Sequence, residues 1–305
     1  MSAPEYDAAG PASVGVLTTA ATDNARGRTL PIEVWYPIES SGTASGVIDF
    51  ETDPDQRAAL SGLLDAAPEA CVAKTTAASR DAPASAGEYP LFDRLDGTES
   101  PLDNGLVDVR EADIRFLLDR VLAGDVLPNG IAANAAQVGM LGHSIGSVTA
   151  GRVTQNDARI AAVIGLAAPM ENPFYGEVSI EAIEVPLGLL VATEDNSITE
   201  VGNSLIRENF SEANTPAYKI ELVDAGHWSV TNIAGLDELF APGCENGTRQ
   251  TNDEPFTYVS VDSAKGHTAT FVTAFFAGHL LNEPSALELL RSNPSPNAAP
   301  IEVRE

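Results

Sequence analysis

Gly142-His143-Ser144-Ile145-Gly146 sets a serine between two glycines at the spacing G-x-S-x-G. Serine is a poor nucleophile until a neighbouring base takes its proton. The pattern by itself is weak, because glycine and serine are both common residues, but its setting adds weight. The apolar run Val138 to Leu141 reads as a strand and Ile145 to Gln155 as a helix, so Ser144 lies at a strand-to-helix turn. A turn this sharp strains the serine backbone, and side chains at 142 and 146 would crowd the neighbouring strand and helix. It also aims the Ile145 N–H, near the helix start, at an oxyanion forming beside Ser144.

The base must be one of four histidines: His143, His227, His267 and His279. His227 stands in Asp224-Ala225-Gly226-His227-Trp228, just after the strand Tyr218 to Val223, and ligand-facing groups gather at the C-terminal ends of parallel strands. His143 adjoins the nucleophile and reads as a packing residue or a substrate contact. His267 and His279 bracket the C-terminal helix as capping or core residues. The acid that orients the base should lie between serine and histidine in the chain. Thr193-Glu194-Asp195-Asn196 does so, after the strand Leu187 to Ala192. Both carboxylates qualify by position; Asp195 is preferred because it lies one residue further into the loop and has the shorter reach. Trp228, beside the base, suits an aromatic wall for acyl or aryl groups and equally suits the core.

These three residues have to be brought together by the elements around them. Val14 to Leu17 and Ile32 to Tyr36 read as strands, with Asn24 to Arg28 as the turn between them. Ile114, Leu117, Leu118 and Val121 follow the i, i+3, i+4, i+7 rule of an amphipathic helix that ends near Gly124. Ile160 to Leu166 and Leu187 to Ala192 are wholly apolar, as strands buried on both faces are. Helices over Thr199 to Phe210 and Thr268 to Leu281 complete an alternation that indicates parallel βαβ units. The stretch 38–108 is different: rich in Ala, Ser, Asp and Pro, it offers a helix at Asp55 to Leu64 and a short strand at Tyr89 to Phe92.

The 305 residues carry a formal charge of −27, and the lysines are Lys74, Lys219 and Lys265. A surface this acidic repels nucleic acid and anionic lipid, so neither is an expected partner. Hydrophobic residues at 44% allow a sizeable core, and no apolar run is long enough to span a bilayer. No Cys/His cluster has metal-ligand spacing, and no cofactor or metal is expected. Cys71 and Cys244 fit one disulfide or two unrelated thiols equally well. Met1 to Ala20 lacks the basic and apolar regions of a secretory signal. The reading favours an exported protein whose signal has been trimmed, and a cytoplasmic one if Met1 is native.

Arg28-Thr29-Leu30-Pro31-Ile32-Glu33-Val34-Trp35-Tyr36-Pro37 resembles the early strand of bacterial platelet-activating-factor acetylhydrolase-like proteins, often labelled predicted dienelactone hydrolases. Gly142 to Gly146, Thr193-Glu194-Asp195 and Ala225-Gly226-His227-Trp228-Ser229 look like their elbow, acid loop and histidine loop. The resemblance covers about residues 14 to 40 and 105 to 281. It implies an α/β-hydrolase fold, a mostly parallel sheet flanked by helices in a single domain over 1–305, and carboxylic-ester hydrolysis without a cofactor. Lipases, cutinases and polyester hydrolases are of the same broad type.

One block of that pattern is missing from the sequence. The family pattern places a strand, a His-Gly oxyanion loop, a helix and another strand ahead of the amphipathic helix, and no His-Gly pair occurs upstream of Ser144. The expectation is a truncated N-terminal half, without the usual third strand, oxyanion loop, helix and fourth strand, and with 38–108 as an irregular replacement. A second copy of the chain is expected to cover the exposed sheet edge. Loss of one oxyanion donor typically costs about 10² to 10³ in turnover, so a slow serine esterase is expected unless an N–H near Tyr89 to Phe92 substitutes. The substrate is expected to be a small-molecule or polymeric ester. The missing block leaves a second reading open, a pseudo-hydrolase that serves as a binding or scaffold module, and a transferase using the same acyl-enzyme remains a third.

Overall fold

A computed structural model of the chain describes residues 12–38, 44–51, 53–95 and 103–305; for 92–95 it describes the backbone alone. In chain order the elements are β1 (Ser13–Asp23), β2 (Arg28–Ile38), α1 (Pro54–Ala66), β3 (Ala78–Arg80), β4 (Gly87–Leu95), α2 (Asn104–Leu122), β5 (Ile131–His143), α3 (Ile145–Asn156), β6 (Ile160–Leu166), β7 (Leu187–Ala192), α4 (Thr199–Glu212), β8 (Ala217–Leu222), β9 (Asn246–Thr248), β10 (Pro255–Thr257), α5 (Val261–Leu280), α6 (Pro284–Ser292) and β11 (Ile301–Arg304).

The central sheet has six strands in the order β11-β8-β7-β6-β5-β4. The five strands from β4 to β8 are parallel, and β11 closes one side antiparallel to β8. Side chains alternate across it with the period of two that a pleated strand imposes. Leu187, Leu189 and Val191 of β7 join one core with Ile114 and Leu118 of α2, Val148 and Val153 of α3, and Ile206 and Phe210 of α4. Leu190 and Ala192 face the other way, into a second core with Tyr218 and Ile220 of β8, Phe271 and Phe275 of α5, and Leu290 of α6. Helices on both faces of a parallel sheet make a three-layer α/β architecture. The helix starts are specified locally. Asp53 accepts the N–H of Asp55 and Gln56 ahead of Pro54, Asp103 accepts Leu106 N–H, and Ser260 accepts Ser263 N–H.

The N-terminal half departs from expectation in the segment ahead of α2. The stretch 38–108 is not uniformly irregular. It holds α1, close to the expected helix, then β3, and then β4, which is nine residues long where a strand over Tyr89 to Phe92 was expected. β4 lies parallel to β5, with Leu95 opposite Gly142, and so fills the place beside the elbow strand that the sequence reading left without a third strand. Pro90, at the register shift between Tyr89 and Leu91, interrupts the pattern that would have announced it. β1 and β2 lie outside the central sheet. They form a hairpin of eleven paired positions, joined by β3 into a separate three-stranded sheet. Ala21 and Ile32 of this hairpin pack on Phe116, Leu117 and Val121 of α2. Among the described residues β4 is therefore the outer strand of the central sheet, with no helix and no further parallel strand between it and α2.

Candidate active site

The turn from β5 into α3 shows in its backbone what the glycine pattern demands. Ser144 sits at φ 57° and ψ −128°, a region that L-residues avoid at a cost of about 1–3 kcal/mol. A Cβ on Gly142 would overlap the Gly146 carbonyl, so the two arms of the elbow can close only around a residue with no side chain. Ser144 N–H is held by the carbonyl of Leu166 on β6 at 2.9 Å. The hydroxyl therefore projects from the C-terminal edge of the sheet, half-buried. Ile145 is the first residue of α3, where an N–H has no acceptor within the helix.

Two further strands end at the same edge, and their loops complete a continuous chain of hydrogen bonds. His227 Nε2 lies 2.9 Å from Ser144 Oγ, and His227 Nδ1 lies 2.7 Å from Asp195 Oδ2. A carboxylate can only accept, so Nδ1 carries the proton and Nε2 is left to accept from the serine hydroxyl. Asp195 is wholly buried and His227 nearly so. Oδ1 of Asp195 accepts the N–H of Ser197 at 2.9 Å and of Ile198 at 3.0 Å, so both carboxylate oxygens are occupied and the side chain cannot rotate away.

The adjacent carboxylate has a different occupation. Glu194 accepts Arg249 Nη1 at 2.7 Å and Gln250 N–H at 3.1 Å, and Arg249 also reaches Asp224 at 2.8 Å. Arg249 ties the loops after β7 and β8 together and leaves Asp195 for the imidazole. His143 packs within the site, one of the two places its sequence position allowed. It is buried, and its Nε2 donates to the His227 carbonyl at 2.9 Å while its ring packs 4.8 Å from the His227 ring. The side chain sits beneath the histidine loop because the elbow and that loop meet at the sheet edge. Trp228 is half-buried and meets His227, His143 and Phe240 at ring distances of 4.8, 5.4 and 4.8 Å.

The backbone of Tyr89 to Phe92, considered as a substitute source of the second oxyanion donor, does not reach the elbow. Tyr89, Leu91 and Phe92 pair with Ala133, Val138 and Gly139, so they lie along the strand well before the elbow, roughly 16 Å from Ser144 for Phe92 at the rise of a strand. The position level with the elbow is Leu95, opposite Gly142, and the residues after it, 96–102, lie outside the described ones. Among the described residues no group of three or more His, Cys, Asp or Glu side chains could hold a metal ion.

Cys71 and Cys244 are joined in a disulfide across 173 residues, which settles between the two sequence readings. Sequence reasoning missed Ser229 and the Pro242–Cys244 segment, which back the histidine loop. Ser229 stood in the Ala-Gly-His-Trp-Ser motif as a signal, whereas nothing in the sequence marks Pro242 and Gly243 as its partners.

No family model matches the chain, and no curated protein matches it. Among solved structures it is similar to a ferulic acid esterase from Streptomyces cinnamoneus, with a TM-score of 0.66 and 20% identity, over 97% of this chain and 98% of that one. The likeness runs nearly end to end, and at this identity it speaks to the fold: a mostly parallel sheet flanked by helices, of the α/β-hydrolase type. The likeness to platelet-activating-factor acetylhydrolase-like proteins rests on the sequence motifs.

Proposed function

We propose that the chain is a serine hydrolase that cleaves carboxylic esters through an acyl-enzyme, with Ser144 as nucleophile, His227 as general base and acid, and Asp195 as the group that orients it. The observation that carries this reading is the unbroken hydrogen-bond series from Ser144 Oγ through both nitrogens of His227 to Asp195, with the last two buried. Burial of Asp195 and His227 strengthens their interaction, because little water screens it.

In the reaction, His227 Nε2 takes the Ser144 proton as Oγ attacks the ester carbonyl. The oxyanion meets the N–H of Ile145 at the start of α3. His227 then gives its proton to the leaving alcohol, and water repeats the sequence on the acyl-enzyme. Throughout, Asp195 holds Nδ1–H and stabilises the imidazolium. The ring of Trp228 beside the base favours esters with an aryl or bulky acyl group. The structural relative's description as a ferulic acid esterase supports the same class at the level of ester cleavage. The Cys71–Cys244 bond supports an oxidising compartment, and therefore export, since such bonds do not persist in a reducing cytosol.

The test is hydrolysis of p-nitrophenyl acetate and butyrate by the wild type and by Ser144→Ala. The expected result is loss of turnover by at least about 10³-fold in the variant. Equal background rates in both proteins would instead favour a scaffold that keeps the residues without the reaction.

A further inference from the structure

The histidine loop rests on a short strap, Phe240 to Cys244, that is covalently tied to a distant part of the chain. Ser229 Oγ–H donates to the Gly243 carbonyl at 2.6 Å and accepts Gly226 N–H at 2.9 Å, so one hydroxyl closes the turn around His227 and fastens it to the strap. Trp228 N–H donates to the Pro242 carbonyl at 3.3 Å, and the Phe240 ring meets the Trp228 ring edge-on. The contact has no slack. A Cβ on Gly226 would stand 2.6 Å from Gly243 Cα, and a Cβ on Gly243, which sits at φ +126°, would stand 2.6 Å from Ser229 N.

The next residue is Cys244, bonded to Cys71, which lies between α1 and β3 in the N-terminal segment. Cys71 is buried, and Gly235 approaches it so closely that a Cβ there would meet the Cys71 Cβ at 2.9 Å. Between Leu222 and Asn246 the chain forms only turns and the short 3-10 turn Glu238–Phe240. Such a segment is positioned by its neighbours and its crosslink, since it has no ladder or helix of its own to hold it.

We propose that the Cys71–Cys244 cystine is a redox-sensitive clamp that positions His227 against Ser144 through the Pro242–Gly243 strap and Ser229. The inference rests on the ester-hydrolase reading above. Reduction by a dithiol breaks the S–S bond: two electrons and two protons pass to the protein, thiols form at Cys71 and Cys244, and the dithiol closes to its own disulfide. The strap then keeps its hydrogen bonds and its ring contact with the histidine loop but loses its covalent tie to the N-terminal segment. The 2.9 Å contact between imidazole and hydroxyl loosens, and a displacement of about 1 Å in such a contact can cost about 10²-fold in rate. Ground-state binding of the ester does not use the proton transfer between these two groups, so the loss is expected to fall on kcat.

The experiment compares the oxidised protein, the same protein reduced with dithiothreitol, and the Cys71→Ser/Cys244→Ser double variant. Turnover of p-nitrophenyl butyrate is measured below the melting temperature of the reduced form, with thiols counted and circular dichroism recorded in parallel. We expect kcat to fall at least about tenfold on reduction with KM within about twofold, to recover on reoxidation, and to be low and insensitive to dithiol in the double variant. Unchanged kcat with two thiols titrated overturns the clamp. So does activity that disappears only together with the circular-dichroism signal, which would make the cystine a general staple. If the oxidised protein shows no Ser144-dependent turnover, it is the ester-hydrolase reading that fails. Amide exchange at residues 226–229 then decides the clamp, with faster exchange on reduction expected and unchanged exchange overturning it.

Discussion

Two neighbouring carboxylates, Glu194 and Asp195, do separate work because their side chains leave the loop after β7 in different directions. Asp195 Oδ2 takes the imidazole N–H while Oδ1 is held by two backbone N–H groups. Asp195→Asn keeps that shape but can offer an N–H where the imidazole needs an acceptor, which favours the tautomer unable to take the Ser144 proton. We expect kcat to fall by about 10⁴, with little change in melting temperature. Glu194→Gln should act in the opposite way. It weakens the ion pair with Arg249 and costs about 1–2 kcal/mol in denaturant unfolding, with kcat changed by less than about tenfold. A kcat loss at Glu194 as large as that at Asp195 would mean that the orienting acid has been misassigned.

At the scale of the element, α5 is the apolar backing of the sheet, and it holds a half-buried titratable group near its C-terminal end. His279 packs 4.9 Å from the Phe275 ring and 5.3 Å from Tyr218 of β8. Burial, together with the nearby Arg291 charge, holds its pKa down to about 4 from the usual 6.5. The unfolded chain therefore takes up a proton, as pH falls below about 6.5, that the folded chain refuses until about 4. The stability associated with a neutral His279 is complete above pH 6.5 and is lost progressively down to pH 4, by up to about 3 kcal/mol. His279→Phe should remove this slope. Urea unfolding at pH 8 and pH 4.5 should differ by about 2–3 kcal/mol less in the variant than in the wild type, and parallel pH profiles would contradict the assignment.

For the whole molecule, 44 acidic against 17 basic side chains leave a surface that repels itself. Local pairing softens this where cations are available. Arg26 and Arg28 share Asp113, and Arg207 with Lys219 converges on Glu221. The carboxylates without such a partner remain. Raising sodium chloride from about 0.05 M to 1 M shortens the screening length to about 3 Å, and the melting temperature followed by calorimetry should rise. A fall with salt would mean that the ion pairs outweigh the repulsion.

The alternation of strands and helices from Ile114 onward was legible in the sequence. Ile160–Leu166 and Leu187–Ala192 coincide with β6 and β7, because apolar periodicity reports burial within one element and needs no knowledge of its neighbours. The residue types at 144, 195 and 227 and their order at the C-terminal ends of β5, β7 and β8 were legible for the same reason. Tertiary structure alone decided which partners met: Asp195 and not Glu194 on His227, His143 beneath the loop, Cys71 on Cys244, β4 beside the elbow, and the β1–β2 hairpin outside the central sheet. The first four of these span from 32 to 173 residues of chain. A local pattern carries no register between segments that far apart, and that register is set by packing once the sheet has formed.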